Sequence, residues 1–145
     1  MSNKNIYEVF DDFINAPTRE EKIAVLHRNK GNALDAVLRG TFHPYIKYVF
    51  DEIPPYQKSD APVGLGYTSL HQELSRVYLF EENNPRVSTN LTLDRKKYLL
   101  VQMLEALEAR EAEVLANMLM KRQSVKGLTY KLVQEAFPGM LPDDY

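Results

Sequence analysis

Apolar residues recur at helical spacing along almost the whole chain, and prolines and cap residues cut that pattern into short pieces. Ile6, Val9, Phe10, Phe13 and Ile14 form one stripe, closed by Pro17. Thr18 with Glu21 reads as a capping box for a second helix. That helix carries Ile23 and Leu26, with Ala24 and Val25 beside them, and stops at Lys30-Gly31-Asn32. Leu34, Val37, Leu38 and Phe42 predict a third helix, closed before Pro44, and Tyr45, Ile46, Tyr48, Val49 and Phe50 a short aromatic one. Pro54-Pro55 and the run Asp60–Gly66 predict a long loop over 51–67, of the kind that is often functional. Ser69 with Gln72 is a second capping box, opening Leu70, Leu74, Val77 and Tyr78, and a polar loop follows over 81–91. Leu93 to Lys121 is helical in pattern, as one helix or as two broken near the acidic stretch Glu105–Glu113. A last helix runs from Thr129 to Phe137. Sustained alternation and Asn-Gly hairpin signals are absent, so the expected fold is all-α, one domain over 1–145 with about seven helices.

Composition narrows the function classes. A chain of 145 residues is long enough to bury a core without staples, and with no cysteine it has neither disulfides nor a thiolate nucleophile. Its longest apolar runs fall far short of a membrane span, and Met1-Ser2-Asn3-Lys4-Asn5 leads into acidic sequence without the features of a signal peptide. The net charge of −2 argues against a generic nucleic-acid coat but leaves room for a local basic face.

Catalytic signatures are missing. His27, His43 and His71 are scattered without ligand spacing, and no phosphate-binding glycine motif or nucleophile elbow occurs, so no metal or cofactor is expected. Glu105, Glu108, Glu111 and Glu113 resemble paired catalytic carboxylates, but the expected reading is a solvated face with Arg110 interleaved.

Binding is better represented. Lys121, Arg122, Lys126 and Lys131 surround Gly127 and Thr129 at a helix start, and no acid falls between Lys121 and Gln134. Gly127 permits a tight turn, Thr129 a cap, and the free N–H groups of the following helix an anion site suited to phosphate. The competing reading is an ordinary helical corner whose lysines face water. A second basic group contains Lys22, Arg28 and Lys30, with Arg19, Arg39 and Lys47, and Arg95-Lys96-Lys97 makes a third. Tyr45, Tyr48 and Tyr56 offer either base stacking or core rim.

Two blocks carry a family resemblance. One spans Ile6–Pro54, including Thr18-Arg19-Glu20-Glu21-Lys22 and Val25-Leu26-His27-Arg28-Asn29-Lys30-Gly31-Asn32. The other runs from Val114-Leu115 through Met118, Arg122, Gly127 and Thr129 to Phe137-Pro138-Gly139-Met140-Leu141-Pro142. Together they resemble the N-terminal, all-helical DNA-binding domain of ATP-dependent DNA ligases, especially those of T-even-type tailed phages. The resemblance implies a grip on duplex or nicked DNA through backbone phosphates, with Arg122, Lys126, Gly127 and Thr129 foremost. It also implies contact with a sliding clamp or another replication protein, and a place in the cytoplasm of an infected bacterial host. The adenylation motif Lys-x-Asp-Gly is missing, so the resemblance implies a binding domain standing alone, with no covalent AMP intermediate and no ligation. The second hypothesis is a protein-interaction adaptor of the same fold, favoured by the acidic stretch and the Asp143-Asp144-Tyr145 tail.

Overall fold

In the computed structural model, which describes residues 4–62 and 66–143, every regular element is helical. Among the described residues there are seven α-helices: α1 Ile6–Asn15, α2 Arg19–Arg28, α3 Asn32–Phe42, α4 Leu70–Glu73, α5 Leu93–Ala106, α6 Ala109–Leu119 and α7 Tyr130–Ala136. A 3-10 helix, Leu74–Phe80, continues α4. Thr18 caps α2 by accepting from the Glu21 N–H at 3.1 Å, Ser69 and Gln72 form the full box on α4, and Thr129 caps α7 through the Leu132 N–H at 3.2 Å.

The helices close around one core, the fully enclosed members including Phe13, Leu26, Leu38, Phe80, Leu104, Leu115 and Leu132. α6 is its spine, packed by α1, α3, α4 and α5, while α2 lies across α1 and α7. Arg110 on α6 clasps Asp11 on α1 through two hydrogen bonds of 2.8 Å and stacks 4.5 Å over the Tyr7 ring. That bidentate pair holds the Asp11 carboxyl below its ordinary range. No helix among the described residues is long and apolar enough to cross a membrane.

Three sequence expectations are corrected. Tyr45–Phe50 is not a helix: the Val49 N–H donates to Phe80 O at 2.9 Å and the Glu82 N–H to Lys47 O at 2.7 Å, with Tyr48 and Glu81 bridged antiparallel. Long-range pairing there outweighs a short aromatic stripe that lacks a cap. Ile14 lies in the last turn of α1 but is 43% exposed, outside the buried stripe. The stretch from Leu93 takes the second of its two expected forms, dividing within the acidic stretch at Leu107–Glu108, the C-cap of α5 and the N-cap of α6.

The third correction concerns the acids. Glu105 and Glu113 face solvent, but Glu108 and Glu111 are buried at 5% exposure each. Glu108 accepts from the Tyr7 hydroxyl at 2.9 Å, and Glu111, in the first turn of α6, takes the Leu70 N–H. Burial raises the Glu111 carboxyl above its ordinary value, the Leu70 N–H opposes the rise, and nearby Glu108 adds to it.

The predicted loop over 51–67 is irregular where it is described; Val63, Gly64 and Leu65 lie outside the described residues. It returns to the core at Gly66, where a Cβ would stand 2.9 Å from the Glu108 nitrogen and 3.3 Å from Ala106 O. Both neighbours are backbone and cannot give way as a side-chain tip would. Gly66→Ala is therefore expected to destabilise the protein by about 1–3 kcal/mol in a urea titration. An unchanged midpoint would mean that the turn is free to lift.

Candidate nucleic-acid interface

The last quarter of the chain folds as a corner between α6 and α7, and its start is set by backbone hydrogen bonding. Beyond the α6 C-cap Met120, the Lys121 N–H donates to Met118 O at 2.9 Å and the Arg122 N–H to Asn117 O at 3.1 Å. This is a Schellman ending, which places the first residue after the cap in the left-handed region, where glycine is favoured. Here Lys121 occupies it, with φ +63°.

The side chain accounts for the choice. Pro44 has no N–H, so the Gly40 carbonyl near the end of α3 lacks its i+4 donor. The Lys121 ammonium replaces it, donating to Gly40 O and to His43 O at 2.8 Å each and lying 5.6 Å from the Tyr48 ring centre. Burial lowers this ammonium to about 8, partly offset by Glu81. A similar device recurs at α1, where Pro17 deprives Phe13 O of its i+4 donor and leaves it only the Ala16 N–H at 3.2 Å. The Lys22 ammonium donates to Phe13 O at 2.8 Å and Ile14 O at 3.2 Å, 5.1 Å from the Phe13 ring centre.

Lys121 and Lys22 thus turn inward rather than toward a ligand, contrary to their grouping with the phosphate contacts. The carbonyls that Pro17 and Pro44 leave without an i+4 donor were the sequence signal for this role. They brace the corner at its two ends. Gly127 turns with φ +89°, and a Cβ there would touch the Lys22 side chain and the Phe13 ring at 3.6 Å. Between the braces exposure alternates: Arg122, Ser124 and Lys126 face solvent, while Gln123 and Val125 face inward. The Gln123 amide donates to Val114 O at 3.1 Å and to the Thr41 hydroxyl at 3.4 Å. Ser124, not singled out from sequence, stands between the two cations.

The side chains of Arg122, Lys126 and Lys131 are exposed and have no hydrogen bond or ion pair with any described residue. The electrostatics of the corner rest on these three groups. α7 has seven residues, and one of its leading N–H groups is taken by Thr129, so its dipole adds little. Arg28 and Lys30 lie toward the other end of α2, with Arg28 about 9 Å along the axis from Lys22. Arg28 lines a groove with Asp12, Asn15 and Glu21. Lys30 sits 6.0 Å from the Phe137 ring centre, beside a groove shared with His27, Asp35 and Arg39. Of the nine candidate residues, Lys22 and Lys121 therefore turn inward, and Arg28 and Lys30 line separate grooves.

Of the aromatic candidates, Tyr48 is 9% exposed and Tyr56 half-buried on the core rim, whereas Tyr45 is 77% exposed. His27 is structural: its ring lies edge-on to Phe137, and Nε2 is 2.6 Å from Ala136 O. Burial, with Arg39 and Lys121 nearby, lowers the His43 imidazole below its ordinary value. No group of three acidic or histidine side chains among the described residues is arranged to hold a metal ion.

A family model described as a family of unknown function (DUF6433) matches residues 9–126, which takes in most of α1, all of α2 to α6, and the corner up to Lys126. No curated protein matches the chain.

Proposed function

The chain belongs to the DUF6433 family, and we propose that it is a non-catalytic accessory protein that binds duplex DNA through the phosphate backbone. The observation that carries this reading is the acid-free run from Lys121 to Gln134, whose three outward cations Arg122, Lys126 and Lys131 have no counter-ion among the described residues. Cations left unpaired beside a braced turn suit phosphates, which position a protein without reading bases. Kinship with the helical DNA-binding domain of phage DNA ligases is part of the proposal, as is work in the cytoplasm of an infected bacterium. The second reading, an adaptor that docks on a sliding clamp or another replication protein, is favoured by Tyr67. That side chain is 94% exposed beside the tightly packed Gly66.

Binding to a fluorescent nicked duplex across a salt series separates the two. Three phosphate contacts give a log–log slope of about −3, and Lys126→Glu is expected to lower the magnitude of that slope and to weaken binding about tenfold or more. Absence of binding at low salt, with retention of a replication protein on the immobilised chain, would transfer the corner to the adaptor reading.

A further inference from the structure

A third cationic group, Arg95-Lys96-Lys97, lies outside the corner at the start of α5. The second half of that helix buries Leu100, Met103 and Leu104, all at 2% exposure or less. One heptad earlier the same seam reads Leu93, Lys96 and Lys97. No described residue buries it there: Leu93 is 46% exposed, Lys97 is exposed, Lys96 is only half-buried, and no residue from Leu93 to Leu99 is buried. α5 therefore runs past the body of the domain and carries its core-side seam into the open with lysines in place of leucines. On the flank, the Arg95 guanidinium lies 5.7 Å from the ring centre of Tyr98, itself 55% exposed.

These cations do not serve the helix. They occupy its first turns, where the dipole favours anions, and none of the three has an ion pair with a described residue. Successive side chains diverge by about 100° around a helix, so they do not close on one small anion. The overhang is about 10 Å long, too little apolar surface for a protein interface of about 800 Å² per partner. An extended polyanion, whose affinity comes from released counter-ions rather than buried area, fits what is present.

We propose that the overhanging first two turns of α5 form a second phosphate-contacting surface, taking a nucleic-acid backbone against Lys96 and Lys97, with Arg95 reaching it from the flank. The proposal rests on the nucleic-acid reading above but on different residues. It is tested with the full-length chain on a fluorescent duplex over a salt series, comparing Arg95→Glu/Lys96→Glu/Lys97→Glu with Lys126→Glu. Circular dichroism checks folding, and the triple alanine variant serves as the milder control. The expected result is a log–log slope smaller by roughly two to three in the α5 variant, independent of and additive to the loss in Lys126→Glu. An unchanged slope and affinity in both α5 variants, with Lys126→Glu impaired, overturns the α5 site and leaves the corner standing. Impairment in the α5 variants alone supports α5 and removes the corner. Wild-type protein that binds no duplex at low salt overturns both.

Discussion

Phe13→Ala is expected to destabilise the protein by about 3–5 kcal/mol, the usual cost of emptying an enclosed aromatic site. Against a total of about 5–15 kcal/mol for a domain, that is enough to leave a measurable unfolded fraction. The ring is 0% exposed, and it is also the floor of the corner. It lies beneath the Lys22 ammonium and 3.6 Å from where a Gly127 Cβ would stand. Its removal should therefore loosen the Gly127 turn as well as the core. Leu26→Ala, at an equally enclosed site, serves as the control. Both variants should lose stability in urea, but only Phe13→Ala should also weaken DNA binding per folded molecule. A loss below about 1 kcal/mol would mean that the cavity collapses and that Phe13 anchors nothing.

The second large effect is expected at Lys121, where backbone and side chain have opposite preferences. Lys121→Ala keeps a non-glycine residue at φ +63° and removes both hydrogen bonds to Gly40 O and His43 O. The loss is expected at about 2–4 kcal/mol, since a charged donor is removed and a proline prevents the helix from supplying another. Lys121→Gly loses the same bonds but relaxes the left-handed backbone, so it should be about 1 kcal/mol more stable than the alanine variant. If glycine matched or exceeded the wild type, the ammonium would contribute nothing. The ammonium also predicts a pH dependence. Burial lowers its folded value from 10.5 to about 8, so between those limits the unfolded chain binds more protons. The cost of burying the charge is fully present below pH 8 and relieved as pH rises toward 10.5. Stability should therefore gain from this group over that window, and the gain should vanish in Lys121→Met.

Much of this was legible in the chain. Pro17 and Pro44 closed helices where expected, Thr18, Ser69 and Thr129 opened them, and Gly127 marked a real left-handed turn. Of the candidate interface, the cations Arg122, Lys126 and Lys131 were found in the open, and Ser124 between them was missed. Lys22 and Lys121 were grouped with them by charge, because the carbonyls that their ammoniums take lie 9 and 81 residues away in sequence. The acidic stretch misled for the same reason, because Glu108 and Glu111 look solvated until Tyr7 and Leu70 are brought against them.

The sequence by itself determined where helices begin and end and which face of each is apolar, because caps, prolines and periodicity act over a turn or two. Only the tertiary structure decided which charges are free. Tyr7 reaches Glu108 across 101 residues and Lys121 reaches Gly40 across 81, and the environment of a charge depends on partners at such distances. Lysines of identical local appearance therefore divide into braces and exposed cations only once the helices have packed, since a helix-end carbonyl that a proline leaves short of a donor takes an ammonium brought against it.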